Sequence, residues 1–195
     1  MRQVTNNTLL VGCVIFLLIW VNIDLIYHIL PNGSNYAEAK REVFLLSLSQ
    51  LLLATFSFTL SALNYGRYYA YSLLFSLLLT VSAIVLNNNL IPVYGMYGAA
   101  WSNLLSYALY FALIVFTVSR TMRLSPFCRS QGIVALLFVG VLLLNSFGQR
   151  YLPLGNIWWS SVIRSTVLIG GFCYLSYRLQ LSPEINAAVQ RRLNR

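Results

Sequence analysis

The stretch Tyr68-Tyr69-Ala70-Tyr71-Ser72-Leu73-Leu74-Phe75-Ser76-Leu77-Leu78-Leu79-Thr80-Val81-Ser82-Ala83-Ile84-Val85-Leu86, running on into Asn87-Asn88-Asn89-Leu90-Ile91-Pro92-Val93-Tyr94-Gly95-Met96-Tyr97-Gly98-Ala99-Ala100-Trp101-Ser102-Asn103, decides the fold. Its first part is continuously apolar. As a helix rising 1.5 Å per residue it is long enough to cross a hydrocarbon core of roughly 30 Å. Strands of a membrane barrel would be roughly ten residues long and strictly alternating, and Leu73 to Leu79 does not alternate. The second part spells a sharp helix–turn–helix. The polar Asn run ends the helix, Pro92 lacks an N–H and blocks its continuation, and Gly95 permits a tight turn. A further helix then runs from about Tyr97 to Ser119. On it Gly98, Ala99, Ser102, Asn103 and Ser106 set small or polar groups on neighbouring turns, which lets membrane helices pack closely and hydrogen-bond.

Working outward, four more apolar stretches flank this pair: Thr8 to Leu30, Val43 to Leu63, Gln131 to Phe147 and Trp158 to Tyr177. The reading is an all-α integral membrane protein of six transmembrane helices, with approximate spans 8–30, 43–63, 68–86, 97–119, 131–147 and 158–177. The fifth stretch is short, and tilts, thins the bilayer or extends through its polar ends. Composition agrees: 58% of the residues are hydrophobic and 9% are charged, whereas a soluble domain carries roughly 25% charged residues. The first apolar run is too long for a signal-peptide core and no small-residue cleavage site follows it.

The net charge of +9 does not point to nucleic acid, because the basic residues lie between the apolar runs rather than interleaved with aromatics. They are sorted by side instead. Arg2, Arg67, Arg120, Arg123, Arg129, Arg178, Arg191, Arg192 and Arg195 fall on one face of the expected bilayer, and Lys40, Arg41 and Arg150 on the other. The excess of Lys and Arg on cytoplasmic loops then puts both termini in the cytoplasm. Tyr65, Tyr68 and Tyr69 at the inner boundary, and Tyr94, Tyr97, Tyr151, Trp158 and Trp159 at the outer one, suit the headgroup level. Residues 1–181 form the membrane domain. The tail 182–195 reads as a cytoplasmic amphipathic helix, capped by Ser182-Pro183-Glu184 with Ile185, Val189 and Leu193 as its apolar stripe, or as a frayed polar end.

The Asn-rich helix end, the Leu-Ile-Pro-x-Tyr-Gly-x-x-Gly-Ala-Ala run from Leu90 to Ala100, and the polar-dotted helix with Ser106-Tyr107 resemble polysaccharide-export proteins of the multidrug/oligosaccharidyl-lipid/polysaccharide flippase superfamily. These include the Wzx-type O-antigen flippases. Asn22-Ile23-Asp24, the turn Leu63-Asn64-Tyr65-Gly66-Arg67-Tyr68 and Pro126-Phe127 fit the same pattern. Pro92, Gly95, Gly98, Ala99 and Ala100 carry the motif. The resemblance implies a fold like the C-terminal part, about the last six helices, of such a transporter in a bacterial inner membrane. It also implies a lipid-linked oligosaccharide of the undecaprenyl-diphosphate type as cargo, and a first lobe supplied elsewhere, because alternating access needs one half to rock against another. A chain carrying only this part is a truncated product, a split half or a fragment of a longer protein.

The remaining site candidates are the charged and polar groups within the spans. Asp24 and Arg164 each lie about six residues from the outer end of their helices, roughly 9 Å deep. A charge at that depth faces protein, water or a partner. Arg164 either attracts the carrier diphosphate from a cavity wall, pairs with Asp24, or snorkels to the headgroups. His28 shares a helix face with Asp24 and is either a relay or an interfacial residue. Gln50, Asn103 and Asn145 are read as interhelical hydrogen-bonders, with sugar contact as the alternative, and Gly170-Gly171 as close packing or a bend. Cys13, Cys128 and Cys173 have no metal-ligand spacing and are read as free thiols. No phosphate-binding loop occurs, no cofactor is implied, and four acidic residues, one His and short loops give an enzyme little to work with. The function expected is therefore export of a lipid-linked oligosaccharide. A cation-coupled multidrug exporter of the same superfamily, an inactive fragment, and a membrane polymerase or acyltransferase are the alternatives.

Overall fold

The structure is a computed structural model that describes residues 2–31, 33, 36, 38–64, 69–121, 129–151, 157–179 and 181. Among them are six helices and no strand: α1 (Arg2–Val21), α2 (Ile23–Ile29), α3 (Lys40–Asn64), α4 (Tyr69–Thr121), α5 (Arg129–Tyr151) and α6 (Ile157–Arg178). The inner turn at Gly66-Arg67, Arg123, Pro126-Phe127, Cys128 and the tail 182–195 lie outside the described residues. Three helical stretches, Gln3–Val21, Tyr69–Arg120 and Ser130–Gly148, are long and apolar enough to cross a membrane. The stretches 43–63 and 158–177 are helical within α3 and α6 but are not among these three.

Two expectations about helix boundaries are corrected. The run 8–30 is not one rod. It breaks at Asn22, whose backbone (φ −98°, ψ 8°) leaves the helical path. The Asn22 side-chain amide takes over a main-chain role at the break, donating to the Leu18 carbonyl at 2.8 Å. Asn22, Asp24 and His28 all interrupt the apolar run, and sequence alone did not mark Asn22 as the point of the break. The helix expected to stop at Leu86 instead continues through the Asn run and Pro92 to Tyr94. Asn89 folds its side chain back onto the Val85 carbonyl at 2.9 Å, so a polar side chain is satisfied within the helix rather than ending it. Pro92 forfeits one hydrogen bond close to the helix end, where few turns remain to be disrupted. The break falls at Gly95 (φ 59°, ψ −134°), backbone that an L-residue with a side chain rarely adopts.

Gly95 divides the 53 residues of α4 into arms 69–94 and 96–121. On a straight rod Phe75 and Tyr110 would stand about 50 Å apart. Instead Phe75 packs in one buried cluster with Tyr110, Ile114 and Val118, flanked by Leu60, Leu79 and Leu113. The arms are therefore an antiparallel hairpin, and the seam is its core.

The described residues fall into two compact units. In the first, Met1–Thr5 with Glu38–Pro126, α3 joins the hairpin on its second arm. Phe56 stacks on Phe111 with centroids 3.9 Å apart, and Asn103 donates to the Ser49 hydroxyl at 3.2 Å. Both pairings advance in the same direction along the two helices, so α3 runs parallel to the second arm. The arm closes with Arg120 in its last turn, its guanidinium 5.5 Å from the centre of the Phe116 ring.

In the second unit, Asn6–Ala37 with Phe127–Arg195, α1 meets α5 where Phe16 and Phe138 pack edge to face at 5.1 Å. Two hydrogen bonds tie it alongside α6: Asn6 of α1 donates to the Leu181 carbonyl just past the end of α6, and Ser165 of α6 donates to Oδ1 of Asn22 at the α1–α2 break, at 2.9 Å. The interval from Asn6 to Asn22 equals that from Ser165 to Leu181, which fixes α1 and α6 as antiparallel neighbours. Cys13, Leu17, Val21, Ile23, Val134 and Phe172 are buried in this unit. Cys13 and Cys173 are free thiols.

Many of the helical hydroxyls are satisfied within their own helices. Ser49, Thr55, Ser57, Ser61, Ser76, Thr80, Ser82, Ser119, Ser146 and Thr166 each donate to a carbonyl three or four residues earlier. This satisfies the donor without water, a requirement wherever lipid is the solvent.

Candidate functional site

The hairpin of α4 is where the sequence-derived motif and the tertiary structure meet. Gly98 lies just past the turn, against the first arm. A Cβ placed on it would stand 2.2 Å from the Leu90 carbonyl oxygen and 2.6 Å from the Leu90 carbonyl carbon. The two arms thus touch backbone to backbone at this level, a spacing only glycine allows. From Gly98 a buried row follows the i, i+4 ridge of the second arm through Ser102, Ser106, Tyr110, Ile114 and Val118. The tip of the hairpin is small and polar, its base aromatic and branched. Ala100 is buried and Ala99 half-buried beside the row.

Ser102 and Ser106 depart from the pattern of the hydroxyls named above. Their exposures are 0% and 1%, and among the described residues neither hydroxyl has a hydrogen-bond partner. Asn103, one position away, makes the interhelical bond to Ser49 already described. The expectation of an interhelical role is met at Asn103. At the other two uncharged positions it is not: Gln50 is exposed, and buried Asn145 leaves its Oδ1 without a partner among the described residues.

Alongside the buried row runs a second, half-exposed ridge: Tyr97, Trp101, Leu105. With Leu90 and Tyr94 of the first arm it lines a cleft of about 340 Å³ along the hairpin seam. Tyr97 and Trp101 meet edge to face, centroids 6.3 Å apart and planes at 84°. Among the described residues, none that is charged lines the cleft. The Gly98 contact sets its width by fixing how closely the two arms approach. The sequence marked Tyr94 and Tyr97 as boundary residues. The i, i+4 repeat from Tyr97 to Leu105 was the available sign that Trp101 belongs with them.

In the second unit Asp24 and Arg164 are both half-buried. Asp24 is in the first turn of α2, where a carboxylate complements the helix dipole. The Asn22–Ser165 bond brings their two segments together, with Asp24 two residues from one partner and Arg164 adjacent to the other. Asp24 and Arg164 each take part in at least one hydrogen-bonding, electrostatic or ring interaction. His28 is exposed in the last turn of α2. Gly170 and Gly171 mark neither a bend nor close packing: α6 runs through both, and an added Cβ at either would meet nothing within 4 Å. Among the described residues no group of His, Cys, Asp or Glu could hold a metal ion. No protein-family model matches this chain, and no curated protein or solved structure matches it either.

Proposed function

We propose that this chain is a membrane-embedded part of a transporter that passes a lipid-linked oligosaccharide, of the undecaprenyl-diphosphate type, from the inner to the outer leaflet of a bacterial inner membrane. Both termini face the cytoplasm in this reading. The observation that carries it is the hairpin of α4. Only 11% of its most apolar stretch is buried, and Leu73, Leu74, Leu77, Val81, Ile84 and Val85 are exposed. Exposed apolar surface on that scale is costly in water and costs nothing against lipid tails. The second arm of the same hairpin carries Ser102 and Ser106 away from solvent and Asn103 bonded to Ser49 of α3, polar groups that lipid itself would not call for. Together with the likeness of Leu90 to Ala100 to polysaccharide flippases, that pattern supports a transporter over a passive anchor.

In this reading Arg164 supplies positive charge for the carrier diphosphate, and Asp24 tunes it from the neighbouring segment. The remainder of the transporter comes from spans outside this chain, since alternating access needs two halves. Removing the chain from its own cell should lower surface polysaccharide and trap lipid-linked oligosaccharide on the cytoplasmic leaflet. Unchanged surface polysaccharide in the deleted cell overturns the reading.

A further inference from the structure

We propose that the cleft of Leu90, Tyr94, Tyr97, Trp101 and Leu105 is a binding site for the sugar ring of a glycolipid. The ligand is a glycolipid with no phosphate between ring and chain, distinct from the diphosphate-linked cargo; only the expectation of sugar chemistry rests on the transport reading above. The placement, and the exclusion of other headgroups, come from the cleft itself.

Each arm of the hairpin has about 26 residues, close to 39 Å of helix, whereas the hydrocarbon core is roughly 30 Å thick. The tip around Gly95 therefore reaches the headgroup level when the hairpin spans a bilayer. Tyr94 and Tyr97 flank the tip at the mouth of the cleft. Leu105 lies eight positions deeper than Tyr97 on the same ridge, about 12 Å along the axis. The cleft is thus polar-edged and aromatic at headgroup depth and aliphatic below, which matches a molecule with a polar ring above an apolar chain. Its volume of about 340 Å³ lies at the small end of ligand sites.

Charge narrows the headgroup. Among the described residues no cationic side chain lines the cleft, so a phosphate or carboxylate would meet no counter-ion from them, at a large desolvation cost. A quaternary ammonium would gain from the ring faces. It would, however, sit in a chain of net charge +9 with four acidic residues in total, and none of the described ones lines the cleft. An uncharged ring with C–H faces pays neither penalty. The two phenols and the indole N–H can hydrogen-bond its hydroxyls, and the aromatic faces can stack on its apolar face. Aromatic rings also anchor helices at the headgroup level without binding anything, and the experiment separates that role from a site.

The full chain is reconstituted in phosphatidylcholine nanodiscs with Trp20, Trp158 and Trp159 changed to Phe, so that Trp101 is the sole indole. Its fluorescence is followed on adding an alkyl glucoside below its micellar concentration, and separately an alkyl phosphocholine of the same chain length. A saturable change with the glucoside and none with the phosphocholine is the expected result. Tyr94→Leu and Tyr97→Leu keep apolar volume but remove the ring, and each should weaken glucoside binding roughly two- to tenfold. Tyr97→Phe should keep most of it. An equal response to both amphiphiles, or none to either, overturns the proposal and leaves the rings as anchors. Because the assay reads binding to the isolated chain, its failure alongside a clear deletion phenotype removes the site and leaves the transport reading intact. Glucoside binding with no deletion phenotype does the reverse.

Discussion

The substitution Gly98→Ala tests the hairpin most directly. The new methyl group would stand 2.2 Å from the Leu90 carbonyl oxygen, 2.6 Å from its carbon and 3.2 Å from the Ile91 nitrogen. All three are backbone atoms inside a helix, so no side chain can rotate away to make room. Ordinary carbon–oxygen contact needs more than 3 Å, so the arms must part by about 1 Å at this level. Overpacking of this kind costs about 1–3 kcal/mol, and a rigid backbone neighbour puts the value near 3. Against it stands the helix propensity gained on replacing glycine by alanine, about 1 kcal/mol. The net expectation is a loss of about 2 kcal/mol. Gly170→Ala is the matched control: it lies within α6, its Cβ would meet nothing within 4 Å, and only the propensity gain applies, so stability should rise by up to about 1 kcal/mol. Denaturant titration of the detergent-solubilised chain would give both values. A Gly98→Ala chain as stable as the parent would refute the backbone contact between the arms, and with it the hairpin geometry on which the cleft depends.

Other consequences are equally open to measurement. A double-mutant cycle of Asn103→Ala and Ser49→Ala should give a coupling energy near 0.6 kcal/mol, the usual size of an interhelical hydrogen bond in a membrane protein; zero coupling would place α3 away from the second arm. Ser102→Ala should be neutral or stabilising, because it deletes a buried hydroxyl that has no partner. A clear loss in unfolding assays would mean that the hydroxyl is satisfied by a bound group. Asn22→Ala removes both the bond to Leu18 and the acceptor for Ser165, and should cost about 1–3 kcal/mol. The accompanying straightening of the α1–α2 break would be read as an increased distance between spin labels on α2 and α6.

The fold was legible where the signal is local. Continuous apolarity from Tyr69 to Leu86 called for a helix, and the Gly95–Gly98 neighbourhood called for a turn; both are present. The misreading of the α4 boundary has one origin. Asn87–Asn89 and Pro92 carry the residue types that usually end helices, yet a polar side chain can return to its own helix, as Asn89 does to Val85, and a proline near a helix end forfeits little. Only Gly95, with its positive φ, forces the break. At Asn22 the error ran the other way: of the polar residues in the run 8–30, nothing local distinguished it as the break, which its bond from Ser165 of α6 accompanies.

The amino-acid sequence by itself determined that this chain folds as helices, that several are apolar enough for lipid, and that the chain turns within the 87–98 region. Those properties are sums over neighbouring residues: hydropathy, backbone propensity and the missing proline N–H act without reference to the rest of the molecule. The tertiary structure decided that Phe75 meets Tyr110, that Asn103 finds Ser49, that Gly98 lies against Leu90, and that Tyr94, Tyr97 and Trp101 share a cleft. Each of these depends on which helix arrives opposite which. That choice is made by shape complementarity and hydrogen-bond partners many residues away in the chain, and no local reading of composition or period contains it.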